Sequence, residues 1–417
     1  MKERALEPKN ADWLGKAQEI GRRLERLGLI SEEEGVLDRP PFTGSLRRAM
    51  EETARWMVEA GLLPAVDPFG NLLGRGPRKD RKPVLLIGSH LDTVPRGGRF
   101  DGTLGILLGI SAAGTIRSRI RELPFAVDVL AFHEEEGVRF RSGCLGSRAF
   151  SGLLEPGDWK LTDPRGIPLR QAHASFAWEG WPRFDPYSRD EIFGYLEAHI
   201  EQGPQLEALG LPLGIVAGIV AQERLLITFD GEGGHAGCIP MDARRDALCA
   251  AAEFVSAVEE TARSRIGAVA TVGELHCRPG AVNVIPKRVD LSVDLRHPDE
   301  GILERLSEQV QARAQAIGTR RGIGVVCLRT QRLAAVESDM RWQDRLEVAV
   351  SAVQGKAPRL WSGAGHDASV LGRFVPMVML FVRCRNGISH DPAESVSAPD
   401  IACALEAVVR FLEGFLP

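Results

Sequence analysis

Five clusters in the sequence carry side chains suited to holding a cation or moving a proton. The first runs Gly88-Ser89-His90-Leu91-Asp92-Thr93 and continues to Arg99-Phe100-Asp101-Gly102. The second is His133-Glu134-Glu135-Glu136-Gly137, and the third is Glu197-Ala198-His199-Ile200-Glu201-Gln202-Gly203-Pro204. Gly233-Gly234-His235-Ala236-Gly237 and Gly387-Ile388-Ser389-His390-Asp391-Pro392 complete the set. Histidine with aspartate and glutamate makes a mixed nitrogen and oxygen ligand set, which Zn2+, Mn2+ and other divalent ions accept. Two ions bridged by a carboxylate draw the proton from a shared water near neutral pH, making a nucleophile for a carbonyl. Such a site also needs a carboxylate base that is not itself a ligand, and adjacent glutamates can supply one of each. Asp92 is placed to buttress the His90 imidazole from behind. The loop with Gly97, Gly98 and Gly102 can fold back and bring Asp101 to the same point. The plainer alternatives are a polar strand end with a turn behind it for the first cluster, and a solvated acidic loop for Glu134–Glu136, where three neighbouring carboxylates repel one another.

The elements around these clusters favour the first reading. Val84-Leu85-Leu86-Ile87 is a short apolar run that reads as a buried strand ending at His90. Strands are likewise predicted over 126–132, 193–200 and 375–382, each followed by one of the other clusters. Helices are predicted from the spacing of Leu14, Ala17, Ile20, Leu24 and Leu27, and over 45–60, 104–115, 341–353 and 401–415. Alternation of strand and helix predicts an α/β sheet whose ligands collect at strand ends. The stretch 153–190, rich in Pro, Trp and charge, reads as an irregular surface excursion. Beyond Gly203-Pro204 the texture changes to strands over 224–229, 268–273 and 288–295. Helices over 242–262 and 299–317 interleave with them, an α+β unit of a size to fold alone.

Size and composition bound the rest. At 417 residues the chain accommodates two or three domains. Its 44% hydrophobic and 26% charged content are ordinary for a globular protein. A formal net charge of −4 gives no electrostatic case for nucleic acid or an anionic membrane. No apolar run has the length of a bilayer span, and Met1-Lys2-Glu3-Arg4 opens no signal-peptide pattern. The seven cysteines are odd in number and form no CxxC pair, which suits reduced thiols and a cytoplasmic setting.

The segments GSHLDTVPRGGRFDG, EEEGVRFRSGCLGSRAF, EAHIEQGPQLE, GGHAGCIPMDARRDA, AVNVIPKRVDLSVDLRHPD, SGAGHDAS and GISHDPAES occur in that order between Gly70 and the C-terminus. They resemble the N-carbamoyl-L-amino-acid hydrolase, allantoate amidohydrolase and β-ureidopropionase branch of the dinuclear-zinc exopeptidase superfamily. The resemblance implies an α/β catalytic domain over 1–212 and 331–417, with an inserted α+β lid and dimerisation domain over 213–330. It implies two divalent ions per subunit, Zn2+ or Mn2+, with Co2+ or Ni2+ also accommodated. His90, Asp101 and His199 would hold one ion, and Asp101 would bridge to a second held by Glu136 and His390. Glu135 would be the general base, and His235 would reach the partner subunit's site of a homodimer and polarise the scissile carbonyl. Gln202, Asn283 and Arg296 would bind substrate, with Gly365 and His366 nearby.

An arginine can pair bidentately with a carboxylate, so Arg296 suits a ureido acid. Peptidase relatives usually carry a carboxylate where this chain has His199, which favours hydrolysis of a linear ureido amide to ammonia, carbon dioxide and the amino compound. The alternatives are an aminoacylase or dipeptidase using the same metals, and an idle homologue that binds a small carboxylate. Three departures from the family pattern bear on the substrate. Glu134 stands where Asn is common, Cys238 where Thr is usual, and Asn386 and Asp391 look exchanged. An added carboxylate at Glu134 would raise the pKa of the base or alter a substrate contact. His133, His173, His276 and His297 match no ligand position and are expected to be structural.

Overall fold

The apolar run before His90 becomes the strand Val84–His90, buried along its whole length. The computed structural model describes residues 12–78, 83–176 and 180–417. Strands Ala126–Phe132 and Ile192–Ile200 flank Val84–His90 in parallel, and Met377–Val382 pairs in parallel with the far side of Ile192–Ile200. Strands covered on both faces read as continuous apolar runs, as Met377–Val382 does with all of its residues buried. Antiparallel strands extend the sheet on either side: Leu72–Arg75 and Leu63–Val66 beyond Ala126–Phe132, and Leu213–Ile219 beyond Met377–Val382.

Helices cover this sheet. Trp13–Gly28 buries Ala17, Ile20, Leu24 and Leu27, while Leu14 remains about half exposed. Thr103–Thr115 is apolar on every side and buried through most of its length, as befits a helix enclosed on all faces. Gly105 lets it approach the sheet, since a Cβ there would lie 2.1 Å from the Ala198 carbonyl oxygen. Ala398–Glu413 starts from a Ser397 cap and closes the core with Ile401, Leu405, Val408 and Leu412. No helix among the described residues is long and apolar enough to cross a membrane.

Several elements differ from expectation for identifiable reasons. The last sheet strand begins at Met377, just after Pro376, whose nitrogen has no proton to donate. The helix expected from 242 begins at Ala247, because the Asp246 carboxylate accepts the Leu248 and Cys249 amides and fixes the N-terminus there. The excursion over 153–190 contains a short helix, Leu169–Ser175.

The chain divides into two compact units, one comprising residues up to Ala217 with Glu337–Ser362 and His366–Pro417, the other Gly218–Val336 with Gly363–Gly365. The expected limits of 213 and 330 shift for a simple reason. Leu213 to Val216 pair with the Met377–Val382 strand and belong to the first sheet, while an unforeseen strand, Gly324–Leu333, continues the second unit past 330. That unit has a four-stranded antiparallel sheet in the order Gly324–Leu333, Ala221–Asp230, Arg288–His297, Val269–Arg278. Helices Ala247–Arg263 and Glu300–Arg321 pack against it through Phe254, Val258, Leu303, Leu306 and Val310.

Candidate metal centre and active site

Four neighbouring parallel strands end at one edge of the sheet, and parallel sheets gather ligands at that edge. The register does the assembling. Ile87 lies opposite Leu196, so three residues further on His90 and His199 leave adjacent strands, with ring centroids 5.8 Å apart. The Ala126–Phe132 strand delivers Glu135 and Glu136 beside them, and the segment after Met377–Val382 delivers His390.

Asp101 stands at the centre. Its Oδ1 lies 3.0 Å from His199 Nε2 and 3.3 Å from His90 Nε2, and its Oδ2 lies 3.4 Å from His390 Nε2. Glu136 Oε2 lies 3.6 Å from His390 Nε2, and Glu135 Oε2 lies 3.9 Å from His90 Nε2. Ligand atoms within 4.8 Å of one another form the sets His90–Asp101–His199 and Asp101–Glu136–His390, which share Asp101. The sets His90–Glu135–Glu136 and Glu197–His199–His366 meet the same test.

The protonation pattern fits a cation. Nδ1 of His90 lies 3.0 Å from the Asp92 carbonyl oxygen, and Nδ1 of His199 lies 2.9 Å from that of Ile200. A carbonyl only accepts, so each Nδ1 carries a proton, and a neutral ring then turns an Nε2 lone pair toward the Asp101 carboxylate. His199 Nε2 is sealed from solvent without a hydrogen-bond partner. Acceptor facing acceptor is repulsive unless a positive charge lies between, which a divalent ion supplies, or a proton on the ring in its place. Burial works against charging the imidazoles, yet the Asp101 carboxylate lifts both above the ordinary histidine range. Burial, then the charges of Glu136, Asp367 and Asp92, push Glu135 well above the usual carboxylate range against the pull of His90. Burial and Asp101 raise Glu136 to about 7.

The surrounding network refines the expected roles. Asp92 meets His90 Nδ1 through its backbone oxygen, while its carboxylate accepts the Glu135 and Glu136 amides at 3.3 and 3.2 Å. It therefore ties one strand end to the loop of the next. Arg39, fully buried, donates to the carbonyls of Leu91 at 2.6 Å and Leu27 at 2.8 Å, holding the backbone between His90 and Asp92. Glu134 is buried with its carboxylate engaged by the backbone. Its Oε1 accepts the Phe140 amide at 2.9 Å, closing the turn after the acidic run, and burial raises its pKa to about 8. Gln202 donates to Asp101 Oδ2 at 2.8 Å and to Ser389 Oγ at 3.1 Å, so it lies among the candidate ligands. His366 is buried, bonded to Ser362 Oγ at 2.8 Å, with its ring 4.4 Å from that of His199. Its 1% exposure places it in the layer behind His199.

Of the four histidines expected to be structural, His133 and His173 sit in an aromatic nest with Phe42 and Phe69. His297 bonds the carbonyls of Asp299 and Ile266, and His276 is exposed near Glu274.

His235, Asn283, Arg296 and Gly365 belong to the second unit. His235 is exposed on a two-stranded ribbon, Gly234–His235 with Val284–Ile285. Its Nδ1 accepts the Gly237 amide at 3.1 Å, which leaves the proton on Nε2. Exposed Asn283 accepts the Ala236 amide through its backbone oxygen at 2.9 Å, leaving its side-chain amide free for another partner. Arg296 gives Nε and Nη2 to the Asp294 carboxylate at 2.7 and 3.1 Å, and Nη1 to the Gly363 carbonyl at 2.5 Å. Gly365 is exposed, with nothing within 4 Å of the Cβ an alanine would add.

Sequence reading missed Arg39, Ser389 and the thiol of Cys144, which lies 3.6 Å from Glu135 Oε1. Nothing in their local spacing marks them.

Comparison with known proteins agrees with this geometry. Residues 86–414 match the model of peptidase family M20/M25/M40. Allantoate deiminase of Arabidopsis thaliana is 38% identical, covering 94% of this chain and 81% of the relative. The N-carbamoyl-L-amino acid amidohydrolase of Geobacillus stearothermophilus is also 38% identical, covering 94% and 96%. Among solved structures, a hydantoinase/carbamoylase family amidase of Burkholderia multivorans superposes with a TM-score of 0.87 at 30% identity, covering 96% of this chain and 98% of that one. Clustered metal-ligating side chains at the sheet edge, the second unit within the chain, and similarity running through nearly its whole length lead to one assignment: this chain belongs to peptidase family M20/M25/M40, on the branch of the allantoate and N-carbamoyl amino acid amidohydrolases.

Proposed function

We propose that the chain hydrolyses a linear ureido amide of the N-carbamoyl-L-amino acid or allantoate type, releasing ammonia, carbon dioxide and the amino compound. The observation that carries this is Asp101, whose two oxygens face His90 and His199 on one side and His390 on the other. The relatives named for these two activities align with 94% of this chain. In this reading His90, Asp101 and His199 hold one divalent ion, and Asp101, Glu136 and His390 hold a second. Bound there, the two ions acidify a shared water and polarise the carbonyl.

The chain's own groups do the rest. Glu135, whose burial makes it a stronger base than an ordinary carboxylate, takes the proton from the water and returns it to the departing nitrogen. His235, fixed as the Nε2–H tautomer, donates to the carbonyl oxygen as negative charge develops there. Arg296 keeps N–H groups beyond those given to Asp294 and Gly363, and these receive the substrate carboxylate. Asn283 and Gln202 hold the ureido group. We further propose a homodimer in which His235 serves the partner's centre, Zn2+ or Mn2+ as the native ion with Co2+ or Ni2+ accepted, and a cytoplasmic location.

The test is release of ammonia by Mn2+- or Zn2+-loaded protein from N-carbamoyl-L-amino acids, N-carbamoyl-β-alanine and allantoate. Amine release from N-acetyl amino acids and dipeptides is read in parallel. Ammonia from the first group is expected. Amine release confined to the second group would overturn the reading in favour of an aminoacylase or dipeptidase.

A further inference from the structure

The C-terminal segment that carries His390 also carries Glu394, which no metal or substrate role has absorbed. Glu394 is 2% exposed. Its Oε1 accepts two consecutive backbone amides, Phe100 at 2.7 Å and Asp101 at 3.0 Å, while Oε2 is buried without a partner. The Asp391 carboxylate and carbonyl bond the Ala393 and Glu394 amides, so the turn after His390 sets the position of Glu394. Ser389 donates to Asp101 Oδ2 at 2.9 Å. One short segment thus grips Asp101 at both its side chain and its amide, and delivers His390 besides.

The other wall of this grip is Gly98. A Cβ there would lie 2.2 Å from Glu394 Cδ and 2.3 Å from Oε1. The Gly98 backbone is not among those with positive φ, so an alanine would carry no left-handed penalty, and the three atoms nearest its Cβ would all belong to Glu394. A carboxylate buried against two N–H groups has no need of a side-chain-free neighbour unless its placement matters.

We propose that Glu394 is a positioning residue: by clamping the Phe100 and Asp101 amides it aims the Asp101 carboxylate at both ligand sets. The inference rests on the reading of Asp101 as the shared ligand. Partners that orient a metal's ligands are typically worth about 10- to 100-fold in metal affinity.

The experiment is a Zn2+ titration of the metal-free full-length protein against a chromophoric chelator, run on wild type, Glu394→Ala, Glu394→Gln, Glu394→Leu and Gly98→Ala. Glu394→Ala is expected to bind about 10- to 100-fold more weakly. Glu394→Gln keeps the volume and an acceptor oxygen and should stay within a few-fold of wild type, whereas Glu394→Leu, which fills the space without an acceptor, should bind as weakly as Glu394→Ala; a Leu variant that binds like wild type would reduce the role to packing. Gly98→Ala, which displaces Glu394 without altering it, should match Glu394→Ala. Folded Glu394→Ala and Gly98→Ala proteins that hold both ions as tightly as wild type would overturn the proposal. So would failure of both to fold, which would make Glu394 a determinant of stability. If wild type itself binds fewer than two ions per chain, the shared-ligand reading fails, and the two failures are told apart.

Discussion

Gly102 follows Asp101, the aspartate proposed to serve both ions, and replacing it with alanine separates backbone strain from damage to the proposed metal centre. Its backbone is at φ 65°, ψ −56°, a conformation that residues with a Cβ rarely adopt and that costs about 1–3 kcal/mol when forced. Sterics add to this. The new Cβ would lie 2.6 Å from both Cε1 and Nδ1 of His90 and 2.5 Å from its carbonyl oxygen. Ordinary contact begins near 3.4 Å, so the imidazole must retreat by about 0.8 Å, more than the roughly 0.5 Å a preorganised site tolerates.

Gly152→Ala is the control, because Gly152 has φ +68° with nothing within 4 Å of the added carbon. It should carry only the left-handed penalty, about 1–2 kcal/mol. In thermal unfolding with EDTA, both variants should melt a few degrees below wild type, at about 2–4 °C per kcal/mol for a chain of 150–250 residues and less for a longer one. On adding Zn2+, Gly152→Ala should recover the full metal-dependent rise in Tm. Gly102→Ala should lose much of it, in line with an affinity about 10- to 100-fold lower. Equal metal-dependent rises in the two variants would refute the argument that Gly102 makes room for His90.

Other consequences are as direct. His235→Ala removes the proposed donor to developing charge and should lower kcat by about 100- to 1000-fold, with metal content by elemental analysis unchanged; loss of metal would contradict a role confined to the carbonyl. Arg296→Lys should raise KM for a carboxylate-bearing ureido substrate by about 10- to 100-fold, as expected for losing a charge-assisted pair, with kcat within a few-fold; an equal loss on the uncharged amide analogue would contradict carboxylate recognition. Asp128, held by the Gly76 amide, Arg78 and Tyr187, has a pKa lifted by burial from 3.8 to about 6. The folded chain thus keeps a proton there, between those pH values, that the unfolded chain has lost. Its contribution to stability therefore grows as pH falls through 6 and is lost as pH rises through 6. Urea unfolding in EDTA should show the stability difference between wild type and Asp128→Asn moving toward wild type by about 1 kcal/mol from pH 7 to pH 5; no movement, or the opposite sign, would contradict it.

The sequence made the site legible where chemistry and fold coincide. Apolar runs that stop at His90, His133, His199 and the stretch before His390 say both where strands end and where polar groups collect. Parallel pairing then brings those ends together without further information. Gly324–Leu333 was not legible, because Val326 and Leu328 on its open face are as apolar as its inward residues. Leu213–Ile219 is broken by Gly214 and Gly218, which weakens a strand signal. The support around the ligands was hidden for another reason. Glu394 meets the Asp101 amide from 293 residues away in the chain, and Arg39 reaches Leu91 from 52 away, distances over which local spacing carries nothing. Glu134, Gln202 and His390 all adopt positive φ, so their side chains leave the backbone in directions that a regular strand or helix would not give. That is how the Glu134 carboxylate comes to meet the Phe140 amide.

The most direct test of the central claim is anomalous diffraction from crystals of the Zn2+-loaded protein, collected on both sides of the zinc edge. The account predicts two peaks per chain, one among His90, Asp101 and His199 and one among Asp101, Glu136 and His390, with Asp101 touching both. A single peak, or one seated among Glu197, His199 and His366 instead, would contradict it.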